Sequence, residues 1–300
     1  MNTARVIKIE GIKVVKGGNK KLDKNIKHKT ATAKAHPYKT SAITDRDLIN
    51  QVIKNLYEDR HMAALGIFVL GVNSGLRISD ISTFRLCDIT DKDGKIIDSA
   101  AYKETKTGKI KTEYYNEAVK TMLEWYIKTN GIKPYEYLFT PKGNRQSPCW
   151  YDLSTGYIYR ADKQGRIYYY NDDECQVEYI AENAQELMNK RDVVKIRDYL
   201  RTQNVNKHLH QAIDRLNLKG NYSSHCMRKI NTFFFAEEAG DNLISEEKIR
   251  AASRHLNHSD VRTTYEHYFD KDTFEEKITM NLNLGLEAIK EIIAKESEKK

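Results

Sequence analysis

The sequence predicts a mixed α+β chain in which helices dominate. Three observations carry this. Much of the 300-residue chain falls in stretches where apolar side chains recur every three or four positions, the period of a helix buried along one face. Residues 96 to 115 instead gather β-type residues around Thr105-Lys-Thr-Gly108, which predicts a hairpin or small antiparallel sheet. Residues 143 to 176 contain the aromatic runs Trp150-Tyr151, Tyr157-Ile158-Tyr159 and Tyr168-Tyr169-Tyr170, which predict two short strands around Asp162-Lys-Gln-Gly165.

Taken in order, Thr44 to Asp47 reads as a capping box for a helix with the apolar face Leu48, Ile49, Val52, Ile53 and Leu56. A second helix from Met62 carries Leu65, Ile67, Phe68 and Leu70. It stops at Asn73-Ser-Gly75, placing Leu76-Arg77 on a corner before a short helix led by Ser79. Asp91 to Lys95 is a turn, and the hairpin of residues 96 to 115 follows with Lys106 near its tip. Asn116 to Thr129 is helical, with Val119, Met122, Leu123 and Tyr126 at helical spacing, ended by Asn130-Gly131 and Pro134.

Val177 to Leu218 reads as two or three helices, including Val193 to Leu200 and Val205 to Leu216, before Gly220. Ser223-Ser224 cap a helix carrying Met227, Ile230, Phe233, Phe234 and Phe235, with His225 and Arg228 three apart on one face. That spacing by itself fits an ordinary surface pair equally well. Another helix spans 246 to 255. From Ile278, apolar residues Leu282, Leu286, Ile289 and Ile293 predict a final amphipathic helix, residues 276 to 300.

Charge is unevenly spread. Of the net charge of +8, residues 1 to 40 carry +9, from eleven Lys and Arg against Glu10 and Asp23, leaving the body near neutral. A basic arm over residues 1 to 41, including Lys16, Lys20, Lys21, Lys24, Lys27 and Lys29, suits a nucleic-acid backbone, whose counterions it would release. A flexible solvated leader is the alternative. Cys87, Cys149, Cys175 and Cys226 lack the close pairing of a zinc or redox site and read as reduced thiols. No run has the length of a signal peptide core or a membrane span, so a cytoplasmic protein is expected.

The densest chemistry lies in Ser253 to Asp270, where histidines, threonines and tyrosines fall within a few helical turns. A phenol, titrating near pH ~10, is a good nucleophile only where cations stabilise its oxyanion. The cations are supplied upstream. Gly75-Leu-Arg77-Ile-Ser-Asp80, Lys106-Thr-Gly-Lys109, His225-Cys-Met-Arg228 and Leu256-Asn-His258 followed by Tyr268 resemble, in order, the active-site series of the tyrosine recombinases, the phage integrase family.

That resemblance implies a recombinase-like catalytic domain over residues 42 to 275, with 143 to 176 as an inserted aromatic hairpin whose tyrosines either pack or stack on bases. It implies site-specific DNA cleavage and rejoining through a 3′ phosphotyrosyl link, for integration, excision or resolution of a mobile element of bacterial, phage or plasmid origin. Arg77 and Arg228 would clamp the scissile phosphate, Lys106 would protonate the leaving 5′ oxygen, and His225 would assist proton transfer. His258 would bond the phosphate, Tyr268 would attack, and Asp80 would orient partners. Neither cofactor nor metal is expected. The expected partners are double-stranded DNA, further copies of the chain on DNA through the C-terminal helix, and accessory DNA-binding proteins; a membrane is not.

The chain departs from the family's pattern in three ways. Asn257 stands where glycine is usual. Tyr268 lies ten residues after His258 rather than the commoner nine, which leaves Tyr265 as a rival on the same face. Only the basic arm precedes the first arginine's helices, where the family usually has a core-binding domain. Two other readings therefore stand beside recombination: a relaxase-like enzyme nicking and rejoining one strand in conjugative transfer, and a catalytically inactive DNA-binding protein on the same fold.

Overall fold

The computed structural model describes residues 6–9, 12–16, 40–103, 110–141, 149–171, 176–218, 220–239 and 279–298. Their centre is α2 (Met62–Ser74), every residue of which is buried. It is apolar all round, as a helix enclosed on all sides must be. Small residues let neighbours close on it: a Cβ at Gly66 would sit 2.3 Å from the Phe139 ring, and one at Gly71 would sit 2.7 Å from the Met227 sulfur.

Packed around α2 are α1 (Arg46–Glu58), α5 (Glu117–Asn130), α7 (Thr202–Asp214) and α8 (His225–Ala239). Ile49, Val52, Ile53 and Leu56 of α1 are fully buried, as their spacing predicts. Its cap is Asp45 rather than Thr44: the Asp45 carboxylate accepts from Asp47 N at 2.7 Å and Leu48 N at 3.3 Å, and a charged acceptor suits the positive helix end. α5 begins at Asn116 and ends at Gly131 in the left-handed region (φ 59°), as expected.

Two sheets flank the helices. In the first, β3 (Ser99–Lys103) and β4 (Ile110–Tyr114) form the expected antiparallel hairpin. Its edge is extended by two strands in the basic segment, β1 (Val6–Ile9) and β2 (Ile12–Lys16), which pair antiparallel with each other while β2 runs parallel to β3.

The second sheet corrects the reading of residues 143 to 218. Five strands, β5 (Cys149–Asp152), β6 (Ile158–Ala161), β7 (Ile167–Asn171), β8 (Gln176–Ala181) and β9 (Val193–Ile196), form an antiparallel sheet in the order β8-β7-β6-β5-β9. The inserted element is thus larger than a hairpin and reaches Ile196. Val193 to Leu200 is not helical: Val193-Val194-Lys195-Ile196 is β-branched, pairs with β5 and buries only Ile196. Val177 likewise lies in β8, and the one helix between these strands is α6 (Ala184–Lys190).

Alternation explains how this sheet is seated. Trp150, Tyr159 and Ile167 pack on one face with Leu187 of α6, while Cys149, Ile158 and Ile196 pack on the other with Tyr137 of the helical body. The aromatic runs are therefore mainly packing elements, although Tyr179 is 52% exposed.

The C-terminal helix expected from Ile278 is interrupted: residues 279–282 are helical, Asn283 (φ 41°) and Gly285 (φ 85°) break the run, and α9 (Leu286–Ser297) follows. Its apolar residues Leu286, Ala288, Ile289 and Ile292 join the main core of the same chain. Lys54–Glu291 (2.6 Å) and Lys290–Glu117 (2.9 Å) seal it to α1 and α5. These apolar residues are thus covered within the chain itself. Among the described residues no helix is long and apolar enough to cross a membrane. Cys87, Cys149 and Cys226 are free thiols, and burial pushes the last two up to about 12.

Candidate active site

The corner bearing Arg77 is built by the way α2 stops. Gly75 adopts φ 66°, and its N–H donates to Gly71 O at 2.9 Å, closing the helix with a left-handed residue. Ser74 Oγ donates to Leu70 O (2.7 Å) and accepts from Leu76 N (3.2 Å), so the turn is fixed from both sides. The chain then becomes extended at Arg77 (φ −74°, ψ 141°), which caps the short helix α3 (Ile78–Ile81) in place of the expected Ser79.

Leu76 and Ile78 on either side are buried, so Arg77 branches from backbone anchored in the core. Arg77 is half-buried, with its Nη1 out of solvent, and Asp80 one turn on is fully buried.

His225 and Arg228 reach the same neighbourhood on α8. The start of α8 is held by Asn206, whose Oδ1 accepts from Ser224 N at 2.7 Å, and by Cys226 N donating to Ser223 O at 2.7 Å. His225, its first residue, is exposed, and Arg228 is half-buried one turn in.

The crossing of α8 with α2 sets the register. Met227 lies against Gly71, and Asn231 lies against Gly75 and donates to Val72 O at 3.1 Å. Arg228 thus sits between the two residues that touch the end of α2, and Gly75, two positions before Arg77, faces the next turn of the same helix. His225, Arg228 and Thr232 follow one another at three- and four-residue spacing.

Thr232 opens onto a cleft of 200 Å³, shared with Ser74, Glu113 and Tyr114 of β4, Asn231 and Thr279. The crossing sets α8, which carries His225 and Arg228, against the end of α2 two residues before Arg77; none of these three residues lines the cleft itself. Guanidinium forks suit a phosphate's non-bridging oxygens.

Sequence reasoning missed an asparagine hub beside this cleft. Asn73 donates to Val69 O (2.8 Å) and Leu284 O (3.0 Å) and accepts from Leu284 N (2.9 Å) and Asn116 Nδ2 (2.9 Å). Asn116 also donates to Thr279 O at 3.0 Å. A buried asparagine ending an otherwise apolar helix was the available signal, since such a group must be hydrogen-bonded.

The remaining expected residues fall elsewhere. Lys106, which falls between β3 and β4 in the sequence, lies outside the described residues, as do His258, Tyr265 and Tyr268 and the arm residues Lys20, Lys21, Lys24, Lys27 and Lys29. Lys16 is in β2, in register with Lys103 of β3.

The described tyrosines whose titration shifts all move away from nucleophile behaviour. Burial and the Glu296 acceptor push Tyr57 up to about 12, and burial and Asp152 do the same to Tyr159. A hydrogen bond to Glu178, with burial, raises Tyr169 to about 12. No cluster of three or more His, Cys, Asp or Glu suited to a metal ion occurs among the described residues. No protein-family model matches the sequence, and no curated protein aligns with it significantly.

Proposed function

We propose that this chain cleaves and rejoins double-stranded DNA as a site-specific strand transferase of the tyrosine recombinase type, on a recombinase-like catalytic domain. The observation that supports the reading is the α2–α8 crossing, which brings the Arg77 corner against the helix bearing His225 and Arg228. The ordered series of sequence motifs and the packing of α8 on the end of α2 are independent features, and both favour a phosphate clamp.

In this reading Arg77 and Arg228 hold the scissile phosphodiester and stabilise the charge that builds on its non-bridging oxygens. The Tyr268 hydroxyl oxygen forms a bond to phosphorus as the bond from phosphorus to the 5′ oxygen breaks. The tyrosine proton passes to His225, Lys106 protonates the departing 5′ oxygen, and His258 donates to the phosphate. Attack by a 5′ hydroxyl reverses the step and rejoins a strand, with copies of the chain assembled on DNA supplying the second partner strand.

Covalent trapping tests this. The full chain is incubated with randomised duplex oligonucleotides carrying a nick, denatured, and analysed by mass spectrometry for a phosphotyrosine-linked peptide. Wild type and Tyr265→Phe should give an adduct at Tyr268, Tyr268→Phe none, and Arg77→Ala or Arg228→Ala at least ~10²-fold less, the scale of losing a transition-state donor. No adduct with wild type would overturn the enzymatic reading, and an adduct lost only in Tyr265→Phe would move the nucleophile.

A further inference from the structure

At the opposite end of α2, about 18 Å from Ser74 by helix rise, lies a cavity of 270 Å³. Arg60, His61, Arg197 and His208 line it, with Thr140 and the first turn of α2, and no carboxylate does. Arg85, Arg160, Arg166 and Arg215 each hold a carboxylate. Arg60 and Arg197 pair with none among the described residues.

The cavity is built rather than incidental. Arg60 is held at φ 58°, a conformation that a residue with a side chain seldom adopts. Arg60 N donates to Tyr57 O (2.9 Å) and His61 N to Leu56 O (2.8 Å), which fixes that geometry. These two bonds close the C-terminal end of α1, so Arg60 is the left-handed residue that ends that helix and its side chain leaves a fixed corner. His61 and His208 stack at 3.7 Å between ring centres, and His208 Nδ1 is buried without a hydrogen-bond partner among the described residues.

Burial, the neighbouring His61 and Lys207 hold His208 below its ordinary value, against the raising effect of Gln211. His61 gives α2 no side-chain cap and no acidic residue occupies its first turn, so the positive end of the helix adds to the same field.

We infer that this cavity is an anion site that takes a phosphate group. Two guanidinium forks supply planar donors matched to phosphate oxygens, the stacked imidazoles supply further N–H donors, and Thr140 supplies a hydroxyl. Its volume falls just below the range of about 300 to 1,000 Å³ typical of pockets for drug-sized ligands, which suits a phosphate with its ester carbon rather than a whole cofactor. The phosphate would come from a small phosphomonoester or from a nucleic-acid backbone. Neither source depends on the reading of the Arg77 corner.

Titration calorimetry on the full chain, with inorganic phosphate, with adenosine monophosphate and with a short DNA duplex in separate runs, distinguishes the sources. Arg197→Gln and Arg60→Asn are the variants, the second chosen because asparagine tolerates left-handed backbone; their unfolding midpoints serve as the folding control. Saturable binding of phosphate or the monophosphate, weakened at least tenfold in both variants, supports a phosphomonoester. Phosphate-competed duplex binding that weakens in both variants while the monophosphate does not bind assigns the site to a nucleic-acid backbone. Absence of saturable binding in all three runs, or equal affinities for wild type and both folded variants, would overturn the inference.

Discussion

Gly75→Ala is the most incisive perturbation of the Arg77 corner, because two separate costs meet at one atom. A Cβ at Gly75 would lie 2.5 Å from the Asn231 amide oxygen, and the residue sits at φ 66°. A side chain in left-handed backbone costs about 1 to 2 kcal/mol. The amide of Asn231 must also swing away, which breaks its 3.1 Å bond to Val72 O, a loss of roughly 0.5 to 1.5 kcal/mol. The expected destabilisation is therefore about 1.5 to 3.5 kcal/mol.

Urea unfolding would show this as a lower midpoint at unchanged slope. The second part can be isolated. In Asn231→Ala the obstruction is already gone, so Gly75→Ala added to it should cost only the backbone part, and the double-mutant cycle should return a coupling on the order of 1 kcal/mol. Additive effects would show that the α2–α8 contact at Gly75 does not constrain the corner. A Gly75→Ala protein as stable as wild type would refute the left-handed cap itself.

Arg160→Ala should destabilise the chain by about 3 to 5 kcal/mol, the cost of breaking a buried pair: its guanidinium bonds Asp198 at 3.0 Å and Tyr137 Oη at 2.8 Å across the join between the second sheet and the body. Hydrogen exchange should rise first in β5 to β9, and uniform exchange across the whole chain would count against the join. Asp152 provides a pH test: although burial opposes it, bonds from Ser154, Thr155 and Tyr159 hold its carboxyl down at about 2. Its folded value is depressed, so it adds stability above its unfolded value of about 3.9, and that contribution, roughly 1 to 2 kcal/mol, is lost as pH falls from about 4 towards 2. Asp152→Asn should flatten the urea midpoint over that range, and curves parallel to wild type would contradict the assignment.

The helical part was legible in the sequence because its signals were local and redundant. The α1 period, the Asn-Ser-Gly stop of α2 and the Asn116 and Gly131 caps each have a single cheap structural solution, and the corner at Arg77 follows directly from the stop. The five-stranded sheet was not legible for a physical reason. Val193-Val194-Lys195-Ile196 is too short to show a period, and its partner β5 lies some forty residues away, so only tertiary pairing decides it.

The α9 helix showed its apolar stripe plainly, but a stripe does not say what covers it. For the candidate site, the order of the motifs supplied the expectation of which residues act together. It could not indicate the register of α8 on α2, which rests on the absence of side chains at Gly71 and Gly75.

The asparagine hub bears on how the nucleophile proposed at Tyr268 would reach that register. α8 carries Phe235 on the cleft, and Thr279 lies on the same cleft, its carbonyl held by Asn116. Tyr268 precedes Thr279 by eleven positions, a tether of at most about 40 Å.

Asn73 and Asn116 set the origin of that tether, because they bind backbone of residues 279 and 284 to the end of the same helix that aims Arg77. The Arg77 corner and the backbone at Thr279 and Leu284 are thus tied to a single buried element, so that a shift of α2 moves both together.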